Sequence, residues 1–174
     1  AIDMLALKVR GVLKGDGVST YLHPRGTDHL LAFGNAADEN GRVTGLDLTI
    51  FDVRDLSNPK LVQRRTLPGA YSQSLYEHKA FNFFEDKGVL AIPLNDWQNG
   101  FSGMEVYGVT TTKGFKLRGR IDHKDLAEQM GWTWGPEVGR SVIIRNTIYS
   151  ISDVGIKSSS LANPEHEHAA ITLK

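Results

Sequence analysis

Apolar and polar residues alternate with a period of two through much of this chain, and the alternation itself recurs. Three segments align without gaps: Leu7-Lys8-Val9-Arg10-Gly11-Val12-Leu13, Leu61-Val62-Gln63-Arg64-Arg65-Thr66-Leu67 and Phe115-Lys116-Leu117-Arg118-Gly119-Arg120-Ile121. Leu13, Leu67 and Ile121 stand 54 residues apart, and Arg10, Arg64 and Arg118 keep the same interval. A fourth copy, ending Ala170-Ile171-Thr172-Leu173, follows 52 residues later. Period-two alternation places one face of each segment in a core and the other in solvent, the pattern of a half-buried strand.

Three further strand sets lie between these copies. The first runs from Ser19 through His23, turns at Arg25 to Asp28, returns as His29 to Gly34, and resumes at Leu46 to Val53 after a polar turn. The second is His78 to Phe84, Val89 to Leu94 and Met104 to Val109; the third is Arg140 to Ile144, Thr147 to Ser152 and Gly155 to Ser160. Each set closes on turn chemistry: Asp55-Leu56-Ser57-Asn58-Pro59, Thr110 to Gly114, and Leu161-Ala162-Asn163-Pro164. Asn and Ser bond their own backbone there, and Pro belongs where pairing stops.

Four strands per repeat describe an antiparallel blade, and a blade buries its faces only by stacking on neighbours. The fold class expected is therefore all-β: a β-propeller of about three complete four-stranded antiparallel blades plus one extra outer strand. Propellers close with about 4–8 blades, so the chain is expected to be the C-terminal part of a larger closed propeller. The expected parts are an outer strand of a preceding blade at 5–14, blades at 18–69, 75–121 and 138–174, and a helical insertion at 122–131. In the insertion Asp122 is placed to cap backbone amides, and Leu126 and Met130 share a face.

Composition narrows the chemistry. The chain has 174 residues and a formal net charge of zero, so the basic footprint of a nucleic-acid binder is missing. Eighteen glycines suit an all-β fold with many turns. With no cysteine, disulfides, zinc–thiolate sites and a Cys nucleophile are excluded. No apolar run reaches the length of about 18 residues that a membrane span needs. Ala1-Ile2-Asp3-Met4 lacks the basic and apolar regions of a signal peptide.

Several stretches together resemble the bacterial and archaeal secreted β-propeller family distantly related to WD40 repeats. They are Ser19 to Pro24, His29 to Gly34, Gly45 to Val53, Asp55 to Pro59, Glu77 to Phe81, Leu90 to Pro93 and Lys113 to Ile121. The resemblance spans roughly Leu7 to Leu173. It implies an extracytoplasmic location, with the propeller at the C-terminal end of a longer protein. It carries no catalytic residues over and names no cofactor.

Each candidate site has a structural alternative. Glu77 and His78 open the second blade, where a carboxylate beside an imidazole can serve acid–base work or hold a metal; the alternative is a hydrogen bond tying blades together. Arg140 opens the third blade and suits a bidentate anion contact or an inter-blade ion pair. His166 and His168 fall on one face of a strand as two metal-type ligands, short of the number a tetrahedral site needs, or else lie in a solvated loop. Asp38-Glu39-Asn40-Gly41 resembles part of a calcium loop, but Thr49 stands where an EF-hand needs Glu, and a hairpin turn fits better. Asn95-Asp96-Trp97 to Phe101, with Trp132 and Trp134, form either an aromatic ligand rim or packing between blades. Phosphate-loop, nucleophile-elbow and zincin motifs are missing.

The reading is a propeller scaffold or binding module with no identifiable catalytic set. The alternative is a secreted hydrolase or lyase whose site lies at the channel mouth. The partners expected are the remaining blades of the same propeller or a second copy of the chain, with neither nucleic acid nor a membrane span involved.

Overall fold

A computed structural model describes residues 2–3 and 8–173, and the expected outer strand at 5–14 lies partly outside them. Within them, β1 (Ile2–Asp3) pairs antiparallel with β2 (Lys8–Val9). The chain divides into two compact units. One runs through Pro68 and includes Thr110–Phe115; the other comprises Gly69–Val109 and Lys116 onward.

The first unit holds a four-stranded antiparallel sheet in chain order: β3 (Val18–Arg25), β4 (His29–Ala37), β5 (Val43–Asp52) and β6 (Lys60–Pro68). β4 carries an unbroken apolar run, Leu30 to Phe33, while β5 alternates Leu46, Leu48 and Ile50 with the buried polar residues Asp47 and Thr49. A strand covered on both faces needs apolar residues at successive positions, whereas β3 and β6 keep the alternation of a half-exposed strand. Thr20 is the extra residue of a β-bulge where β3 passes Gly34.

The second unit contains two sheets. In one, β11 (Gly114–Ile121), β10 (Phe101–Thr110), β9 (Val89–Asp96) and β7 (Ala70–Tyr71) are neighbours, and β8 (Asn82–Phe84) also pairs with β9. The other is β12 (Arg140–Ile144), β13 (Thr147–Ser152), β14 (Gly155–Ser160) and β15 (Glu167–Thr172), again in chain order. Val89, Ala91, Met104, Val106 and Ile121 of one sheet form a single apolar cluster with Ile148 of the other and with Val138 and Leu161 in its flanking connections. Removing these side chains from water is the main driving force holding the two sheets together.

One expected strand is broken. The pattern predicts a continuous strand over 78–84, but His78–Ala80 form a one-turn 3₁₀ helix and only Asn82–Phe84 is strand. The turn is favoured locally because the Glu77 carboxylate accepts the Lys79 amide at 3.1 Å. Between β11 and β12 a short helix, α1 (Lys124–Gln129), occupies the expected insertion, with Asp122 accepting the Lys124 amide at 3.1 Å. Leu126 and Ala127 pack on Val154, while Met130 is left exposed.

The fold is that of an all-β propeller: three four-stranded antiparallel blades in open sheets, with almost no helix.

Candidate functional site

Three exposed aromatic side chains of the second unit, Tyr71, Trp97 and Trp134, line one groove of about 690 Å³, while Tyr76 lies outside it. One wall is the turn from β9 to β10. Asp96 and Phe101 face each other in register, so Trp97 to Gly100 must close the hairpin. Gly100 takes the left-handed conformation that the closure needs, with φ of +63°. The Asp96 carboxylate accepts the Asn99 amide at 3.1 Å and the Asn99 side-chain NH2 at 2.7 Å. That pinned turn pushes Trp97 outward, 79% exposed.

The other wall is the connection after α1. Trp132 packs part-buried on Leu126, Ala127 and Val154. Its ring centroid lies 5.9 Å from that of Trp134, which is 67% exposed. Trp132 is thus a support and Trp134 the presenting ring; the packing of Trp132 is on α1 and the turn after β13 rather than between blades. Ser102 donates to the Pro136 carbonyl at 3.2 Å and ties the walls together. Tyr71, opposite Asn95 on β7, completes the rim at 42% exposed. Asn95, Asp122, Thr133 and Glu137 supply polar atoms to the lining.

A smaller polar hollow of about 270 Å³ shares Glu137 with the groove, and Gln73, Arg140 and Asp153 also line it. Burial and the neighbouring Asp153 carboxylate raise the Glu137 pKa, against a hydrogen bond from Asn95 that lowers it. Arg140 Nη2 stands 3.4 Å from Glu77 Oε2. The Lys79 amide and this guanidinium hold the Glu77 carboxyl below its usual range. Arg140 and Glu77 therefore join the two blades as an ion pair. His78 is exposed on the adjoining turn and is not among the hollow's lining residues.

His166 and His168 are exposed where the chain enters β15, with ring centroids 5.3 Å apart and edge to face. No group of three or more His, Asp or Glu placed to hold a metal occurs among the described residues. Asp38 accepts the Asn40 and Arg42 amides at 2.9 Å each, so its carboxylate organises a turn.

Buried ion pairs recur, one between the third and fourth strands of every blade. Asp47 on β5 accepts from Arg64 and, at 2.6 Å, from Thr66 on β6. Glu105 on β10 accepts from Arg120 on β11 at 2.8 Å and from Tyr107. On β14 the polarity reverses: Lys157 meets Glu167 of β15 at 3.0 Å and Asp125 of α1 at 2.6 Å. Burial lowers the Lys157 pKa, but the two carboxylates outweigh it and the net shift is upward. Beside Lys157, fully buried His123 bonds Ser152 Oγ at 2.7 Å through Nδ1 and Ser150 Oγ at 2.8 Å through Nε2. Burial, then the Lys157 charge, push its pKa down to about 4.

Tyr71 and Glu137 are among the groove residues outside the sequence reading. Tyr71 reaches the rim because the short β7 pairs with β9, and Glu137 because the connection folds back over Ser102. The only local sign of Glu137 was a carboxylate just ahead of Arg140.

Residues 3–163 match the beta propeller domain family, and the chain belongs to it. Over 86 residues it is 35% identical to an uncharacterized protein of Methanocaldococcus jannaschii, a match covering 49% of this chain and 13% of that protein. Over 94 residues it is 35% identical to an uncharacterized protein of Archaeoglobus fulgidus, covering 54% of this chain and 14% of that protein. The chain therefore spans only a small part of the length of these archaeal relatives. No solved structure matches it.

Proposed function

We propose that the chain is a binding module within an extracytoplasmic propeller scaffold, and that its ligand sits in the groove rimmed by Tyr71, Trp97 and Trp134. The observation that carries this is the exposure of three large aromatic side chains around one concavity held rigid by Asp96, Asn99 and Ser102. Its volume lies within the roughly 300–1,000 Å³ of small-molecule sites. Grouped exposed aromatics on a rigid frame mark binding faces, because water gains by their covering. The test maps a diverse fragment library by NMR. Shifts concentrating at the indoles of Trp97 and Trp134 support the reading; shifts concentrating in the first unit, where Asp16, Asp47 and Arg64 line a separate hollow of about 400 Å³, overturn it.

The hydrolase or lyase reading has one observation in its favour. Glu137, a carboxyl with raised pKa beside Asp153, is what a general acid requires. Glu137→Gln separates the readings: it abolishes turnover in an enzyme, and in a module it weakens binding while the indoles of Trp97 and Trp134 still shift with ligand.

Further blades, or a second copy of the chain, complete the ring in this proposal. Support comes from the exposed apolar residues Val142, Ile144 and Ile171 on the third blade. The native mass distinguishes the two. The family resemblance supports placement outside the cytoplasm, which fractionation of the source cells checks.

A further inference from the structure

We infer that the ligand class of this groove is a neutral oligosaccharide. The inference rests on the binding-module reading and deepens it. A pyranose ring presents a C–H face that is apolar and faintly positive, and a rim of hydroxyls that need acceptors. The C–H face stacks on an aromatic ring, whose face is negative. The groove supplies both requirements at once: the rings of Trp97 and Trp134 for stacking, and Asn95, Asp122 and Glu137 for hydroxyls.

Charge selects against the main rivals. Asp96, Asp122 and Glu137 stand against Lys124 in the lining, an acidic balance that repels phosphate backbones, whereas single-stranded nucleic acid needs a basic groove beneath its stacked bases. Asp96 is held by Asn99, Asp122 by the Lys124 amide and Glu137 by the Asn95 side chain, so these acceptors are fixed in place with lone pairs left for hydroxyl donors. A lysine-rich peptide offers no flat apolar face to set against both indoles, which a pyranose does. Trp132, braced on the helix cluster, fixes the tilt of Trp134, so the platform is preorganised and a weakly hydrated sugar face binds without ordering a loop.

The experiment titrates the full chain with cellohexaose and with chitohexaose, in parallel with a heparin hexasaccharide and hexalysine, and follows the indole resonances of Trp97 and Trp134. Saturable shifts of both indoles with a neutral hexasaccharide are expected. Trp97→Ala and Trp134→Ala should each weaken binding by about tenfold or more, with Trp→Phe restoring part of it, since each removes one stacking face. Both side chains are largely exposed, so these variants fold. Shifts of the same indoles by hexalysine alone, or by heparin alone, overturn the saccharide assignment and leave the groove as the binding face. No indole shift with any of the four probes overturns it as well; the fragment map then decides separately whether the groove binds at all.

Discussion

Glu105 and Arg120 face each other across β10 and β11 at 2.8 Å, and the Glu105 side chain is only 1% exposed. The same guanidinium lies over the Phe101 ring, 4.7 Å from its centroid, and Phe101 lines the aromatic groove. One cation therefore neutralises a buried carboxylate and steadies a wall of the site.

Removing that cation should cost more than its half-exposed position suggests. Arg120→Ala leaves Glu105 buried with Tyr107 as its remaining partner. A loss of about 2–4 kcal/mol is expected, read as a fall in Tm. Arg54→Ala, which breaks the exposed pair with Asp52, should leave Tm unchanged. Equal effects from the two variants would show that burial of Glu105 does not decide the cost.

His123 should make the fold acid-sensitive in a defined window. Its folded-state pKa of about 4 lies below the ordinary 6.5. Above pH 6.5 the ring is neutral in both states and no penalty arises. As pH falls from 6.5 toward 4, the unfolded chain takes up a proton that the folded chain refuses, so stability declines. The decline ends near pH 4 and amounts to about 3 kcal/mol in full. Denaturant midpoints across pH 4–7 check this, and His123→Asn should flatten that part of the profile. An unchanged slope in the variant would assign the acid sensitivity elsewhere.

Gly34 should not tolerate a methyl group. A Cβ there would stand 1.9 Å from the Val18 carbonyl oxygen, where β3 bulges past β4. The obstacle is backbone and has no rotamer to change. Gly34→Ala should destabilise the first unit by about 1–3 kcal/mol or more. A urea midpoint equal to that of the parent chain would mean the bulge relaxes freely.

The repeat and its strands were legible in the sequence because alternation fixes which face of a strand is buried. The strands Arg140–Ile144, Thr147–Ser152 and Gly155–Ser160 fall where the pattern places them. The inner strand of the second blade was not legible in detail. Ser72 and Glu77 cap 3₁₀ turns with their own side chains, and such local competition leaves no period in the sequence. For Trp97, Phe101 and Trp134 the sequence leaves a ligand rim and packing between blades both open, because exposure and the division of labour between Trp132 and Trp134 depend on where Leu126 and Val154 pack. The ion pairs Glu105–Arg120 and Lys157–Glu167 depend on strand register, which alternation alone does not set.

The central claim is that the rim aromatics serve a ligand and not the fold. It is tested most directly in the Trp97→Ala/Trp134→Ala double variant, measuring thermal stability and fragment binding on the same preparation. The account predicts a Tm within about 2 °C of the parent, as for surface positions, together with loss of the fragments that map to the groove. A large fall in Tm with fragment binding intact would show that the two rings hold the blades together, and that the binding face lies elsewhere.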